Sequence, residues 1–141
     1  MTAWGLAIRN FVGPGETPDI DELIRYAVRA EELGFESLWA WDHVLLGVKP
    51  AFPILDSLSV LTAIAARTSR IKQGTGVLVL PLRNPVVAAK TLASLDRISK
   101  GRLIVGTQVN YSWINFFGNG EVKAIGVHAG ESWIVHMGLM L

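Results

Sequence analysis

The strongest constraint on the fold is an alternation. Apolar runs that suit strands take turns with stretches of helical periodicity, strand then helix three times, and a fourth strand follows. The first strand is expected at Trp4–Arg9. A turn-rich "GPGETPD" leads into a helix: Pro18 suits a first helical position, Asp19 and Glu22 have capping-box spacing, and Gly34 reads as the C-cap. Ile20, Leu23, Ile24, Ala27 and Ala30 mark its apolar stripe. "ESLWAW" is the second strand, and "DHVLLGVKPAFPILD" is a loop ending on Asp56 as an N-cap. Leu58, Leu61, Ile64 and Ala65 line a second helix that should end near Thr68. "IKQGTGVLVL" is the third strand. Asn84 and Pro85 open a third helix with Ala88, Leu92, Leu95 and Ile98 on one face; Lys100 suits the negative end of its dipole, and Gly101 can take the left-handed conformation. "RLIVG" is the fourth strand.

Alternation with short connections means parallel strands and right-handed crossovers. The architecture is then a doubly wound sheet or a (β/α) barrel. A dinucleotide fold calls for G-x-G-x-x-G after the first strand, and "NFVGPGETPD" lacks it. This favours the barrel. A mean hydropathy of +0.37 agrees with parallel strands that are apolar on both faces.

Composition narrows the function. The formal charge of +1 offers no electrostatic case for nucleic acid or an acidic membrane surface. There is no cysteine, so disulfides, thiolate metal sites and thiol nucleophiles are excluded, and no metal site is predicted. No apolar run reaches the roughly 18 residues of a membrane span. The expected setting is cytoplasmic.

Barrel chemistry sits where the strands end, at the C-terminal face. Asp42 and His43 stand at such a place, side by side after an apolar run. Imidazole exchanges protons near neutral pH, and a carboxylate beside it can orient it. Equally, Asp42 can satisfy loop amides while His43 fills the loop. Arg9 and Asn10 end the first strand and face either the site or solvent. Leu80 and Pro81 suit either a ring pocket or core packing. Leu38 and Ala40 alternate with Trp39 and Trp41, so one of these pairs is core. His128 and His136 have no partner motif and are read as surface or loop residues.

Several stretches together resemble one family. "GFESLWAWDHVLL", "RIKQGTGVLVLPLRNPVVAAKTLASLDRISKGRLIVG" and, more loosely, "EVKAIGV" are similar to the bacterial luciferase-like flavin and deazaflavin oxidoreductases, nearest to the branch that uses coenzyme F-420. The resemblance implies a (β/α)8 TIM-type barrel and hydride transfer through a flavin-like ring, with F-420 as cofactor and FMN as the alternative. It implies catalytic roles for His43 and Asp42, with Asp42 holding His43. It places a non-proline cis peptide at a Gly76–Val77 bulge as the seat of the ring. Trp41 and Asn110 are the further candidate cofactor contacts.

After Gly106 the pattern departs from the family, and residues 107–120 are expected to be an aberrant segment. A whole barrel needs about 250 residues and eight strands. Residues 1–141, with four strands and "ESWIVHMGLML" as the start of a fourth helix, are therefore expected to be its N-terminal half, cut within an element. Two such halves could close about a two-fold axis, which predicts a homo-dimer acting on a small-molecule substrate. The alternative from another class is a catalytically inert fragment serving as a binding or dimerisation module.

Overall fold

The computed structural model describes residues 4–47 and 49–108. Four parallel strands lie in the order of the sequence: β1 (Gly5–Ile8), β2 (Ser37–Ala40), β3 (Lys72–Val79) and β4 (Leu103–Gln108). Three helices connect them: α1 (Ile20–Glu32), α2 (Ser57–Ala65) and α3 (Pro85–Ser99). Neighbouring strands joined by a helix, each parallel to the last, make a partial α/β barrel. Among the described residues no helix is long and apolar enough to cross a membrane.

Register explains the core. Leu6 pairs with Leu38 and Ile8 with Ala40, all on the helix-covered face. They meet Ala27 and Ala30 of α1 and Leu58, Leu61 and Ile64 of α2 in one buried cluster. The stripe of α2 thus packs as its spacing implies, and so does that of α1 from Leu23 to Ala30; Ile20, in the first turn of α1, is exposed. Ile98 of α3 does not join them; it is exposed, because the buried face of α3 runs through Ala88 and Leu95. The opposite face of the sheet carries Ala7, Trp39 and Gly74 in one register row. Of the two alternating pairs on β2, Leu38 and Ala40 are core, while Trp39 lies over Gly74.

Several boundaries differ from the sequence reading. The first strand is Gly5–Ile8 rather than Trp4–Arg9, since Asn10 bends back to donate its N–H to the Ile8 carbonyl. Asp19 is the N-cap of α1, and its carboxylate accepts from the N–H groups of Asp21 and Glu22, so Pro18 precedes the helix instead of opening it. Helix α2 ends at Ala65 rather than Thr68, where the Thr68 hydroxyl turns back to donate to the Ile64 carbonyl. At the end of α3 the left-handed turn takes in Lys100 (φ 60°) as well as Gly101 (φ 80°).

Two charged residues lock the end of the sheet opposite the mouth. The Glu31 carboxylate accepts from the backbone N–H groups of Ser69, Arg70 and Ile71 and from the Ser69 hydroxyl, tying α1 to the start of β3. The Arg102 guanidinium donates to the carbonyls of Ala65, Thr68, Ile71 and Ser99, closing the C-terminus of α2.

Candidate active site

The mouth is built where β2 and β3 end. Ala40 is in register with Thr75, so Trp41–His43, which follow β2, and Gly76–Val77, within the last part of β3, lie toward the same end of the sheet. The Gly76–Val77 peptide is cis, and the β3–β4 register slips between Thr75 and Leu78. The resemblance had placed both features there. Thr75 fills the slip: its hydroxyl donates to the Gly106 carbonyl at 2.8 Å and accepts the Gly106 N–H at 3.1 Å.

Asp42 is buried, and its carboxylate is fully engaged. One oxygen accepts from the Ser57 hydroxyl (2.6 Å) and from Arg83 Nη2 (2.6 Å); the other accepts from the Val79 N–H (2.8 Å). Charge-assisted bonds of this kind contribute about 1.5–3 kcal/mol each. Among the described residues these are the hydrogen-bond partners of Asp42. The carboxylate therefore grips the end of β3 and the start of α2, and not the imidazole ring. Asp42 does satisfy a backbone amide, but one on another strand.

His43 is exposed, and its ring meets Trp41 edge-on, with centroids 6.0 Å apart. Trp41 in turn packs against Phe11 at 5.0 Å, and the Arg9 guanidinium lies over the Phe11 ring. The backbone beneath Trp41 is held by Asn10, which is completely buried. The Asn10 amide donates to the carbonyls of Trp41 and Leu55 (both 2.8 Å) and accepts the Trp41 N–H. Of the two residues ending the first strand, Asn10 is thus a clamp. Arg9 lines a separate cavity of about 330 Å³ with Phe11, Glu22 and Tyr26.

Beside His43 opens a pocket of about 330 Å³ walled by Asp42, Ile54, Asp56, Val79 and Arg83. Arg83 Nη2 bridges Asp42 and Asp56, the latter at 2.8 Å. Burial pushes the Asp56 carboxyl up, but bonds from Arg83 and Ser59 outweigh it and hold the group below the usual value. Burial works against the Arg83 charge, and its bonds to Asp56 and Asp42 more than restore it.

Gly76 and Val77 stand earlier on β3, outside that lining. A side chain begun at Gly76 would meet only Trp39 atoms at 3.7 and 3.8 Å, ordinary contact distance, whereas at Gly74 the Trp39 ring stands 2.4 Å from that position. Gly76 is partly buried, with the Trp39 side chain beside it. Among the described residues no group of His, Asp and Glu stands close enough to hold a metal. Leu80 packs against the core rather than standing free for a ring pocket, and Pro81 begins the exposed turn beyond it. Asn110, most of the 107–120 segment, His128, His136 and the expected fourth helix lie outside the described residues.

The sequence reading passed over Asn10 as a clamp, and over Ser57 and Arg83 altogether. The available signal was a buried-type Asp42 after an apolar strand, which demands donors from elsewhere.

The family model for luciferase-like monooxygenase matches residues 1–121. An F-420-dependent glucose-6-phosphate dehydrogenase of Amycolatopsis mediterranei is 35% identical over 113 residues, 79% of this chain and 31% of that protein. The coenzyme F-420 dependent tetrahydromethanopterin reductase of Methanopyrus kandleri superposes with a TM-score of 0.60 at 28% identity, over 82% of this chain and 30% of that one. The oxygenating constituent of 3,6-diketocamphane monooxygenase from Pseudomonas putida, a complex with FMN, superposes at 0.70 with 23% identity, over 83% and 32%, and shows the fold alone. The chain spans about a third of the length of these relatives.

Proposed function

Because the chain belongs to the luciferase-like monooxygenase family, we propose that it acts as a flavin-family oxidoreductase, moving hydride between F-420 and a small organic substrate, with FMN as the alternative cofactor. The observation that carries this reading is the convergence at one strand mouth of the side-chain-free Gly76 position, the Trp39 and Trp41 indoles and an exposed His43. Similarity to F-420-dependent relatives adds support.

The bound cofactor would supply the ring carbon that takes or gives hydride. Gly76 and Val77 would hold one face of that ring, and Trp41 would wall its edge. Hydride transfer leaves one proton to be handled on the substrate. His43, with its ring at the mouth, takes or delivers that proton. Asp42 acts on His43 through the backbone, fixing the turn from which the imidazole projects. Asn110 remains a proposed polar contact to the cofactor.

The test is a titration of the purified chain with F-420 and with FMN, followed by fluorescence. Saturable binding of F-420, weakened by bulk at Gly76, is expected; no binding of either cofactor would reject the reading for this chain. A His43→Ala protein that binds and turns over like the parent would remove His43 from the chemistry.

The sheet also favours a second reading. Among the described residues β1 and β4 are the outer strands of the sheet. A binding or dimerisation module would use those strands, and an enzyme could use them to form a homo-dimer. Sedimentation velocity that finds only monomer across a wide concentration range would reject the dimer in both readings.

A further inference from the structure

We propose that Arg83 is a positioning residue for the His43 corner, holding through Asp42 the turn from which His43 projects. This rests on the functional reading above. Asp42 gathers contacts from three places distant in sequence: Ser57 at the start of α2, Val79 at the end of β3, and Arg83 in the turn beyond it. Arg83 carries the charge that keeps this gathering together. Its Nη2 lies 2.6 Å from Asp42 and 2.8 Å from Asp56, so a single cation separates two carboxylates that would otherwise repel each other.

The placement matters because His43 follows Asp42 directly, and Trp41 precedes it with both backbone groups bound to Asn10. The backbone of the corner is thus gripped on both sides, while the His43 side chain is exposed, its ring meeting that of Trp41. Backbone fixed and side chain free is the arrangement a proton-handling group at a ring seat requires. Asp56 joins in the same way: its second oxygen accepts from the Ser59 N–H, so Arg83 also connects the corner to the cap of α2.

The experiment compares the full chain with R83M, R83K and S57A. It reads the His43 imidazole and Val79 amide resonances by NMR, F-420 affinity by fluorescence, and the thermal midpoint. R83M is expected to move both resonances and to weaken F-420 binding by about tenfold, the effect of one misdirected contact. R83K keeps the charge on a shorter side chain and should recover part of both. S57A removes one donor to Asp42 and leaves no charge unpaired, so it should shift the same resonances less far and stands in if R83M does not fold. A lowered midpoint with unchanged resonances and cofactor affinity within twofold of the parent would reduce Arg83 to a structural residue and overturn the proposal. If the parent binds neither cofactor, the functional reading falls, and the two resonances alone decide the positioning claim.

Discussion

Replacing Glu31 by glutamine tests the lock opposite the mouth. Burial pushes this carboxyl up, yet bonds from the N–H groups of Ile71, Arg70 and Ser69 and from the Ser69 hydroxyl bring it from an ordinary 4.5 to about 2. The folded state therefore favours the ionised form. That stability is present above about 4.5 and is lost as pH falls through about 2. At 1.36 kcal/mol per decade in acidity, the full difference would be at most ~3.4 kcal/mol. Solvent reaches one side of this half-buried group, and screening reduces the contribution to ~1.5 kcal/mol. Glutamine keeps one oxygen but sets an NH2 group against backbone donors, so E31Q should lose about that much at pH 7, or ~4 °C in midpoint. Urea unfolding followed by circular dichroism, run from pH 7 to pH 2.5, measures it. The gap between parent and variant should narrow steadily below pH 4.5. A gap that is absent at pH 7, or that stays constant across the range, would refute the account of Glu31.

Three further substitutions probe separate parts of the fold. Arg102→Met strips donors from the carbonyls of Ala65, Thr68, Ile71 and Ser99 and should cost about 3 kcal/mol in urea unfolding; a cost under about 0.5 kcal/mol would deny its role as the closure of α2. Gly74→Ala places a carbon where the Trp39 ring now lies, at 2.4 Å, so it should cost about 1–3 kcal/mol and shift tryptophan emission; an unchanged spectrum would mean the ring does not cover Gly74. Asn10→Ala leaves the part-buried backbone groups of Trp41 and Leu55 without this partner, and should cost about 2 kcal/mol with faster hydrogen exchange at the Trp41 amide. Parent-like exchange there would show that the clamp is not needed.

What could be read from the sequence was local. Asp19, Asp56 and Asn84 cap helices because their side chains reach N–H groups two or three residues on, and such motifs leave a short signature. The stripes of α1 and α2 were legible for the same reason: burial on one face repeats with the helix. The Gly76–Val77 bulge was legible through family resemblance rather than through any rule of spacing. The polar frame of the site was not legible. Asn10 and Leu55 are 45 residues apart, Asp42 and Arg83 are 41 apart, and Glu31 and Ile71 are 40 apart. Contacts of that kind have no period. They follow from which strands the fold sets side by side, so only the assembled sheet discloses them. For this reason Asp42 read as a partner for its neighbour His43, when its donors come from α2, β3 and the turn after it.

The central claim is that the Gly76 position and the His43 corner together hold a flavin-like ring. The most direct measurement is a fluorescence titration of F-420 against the parent chain and Gly76→Leu, with the thermal midpoints of both followed in parallel. The account predicts saturable binding by the parent, lost in the leucine variant while that variant stays folded. Equal binding by both folded proteins would contradict it.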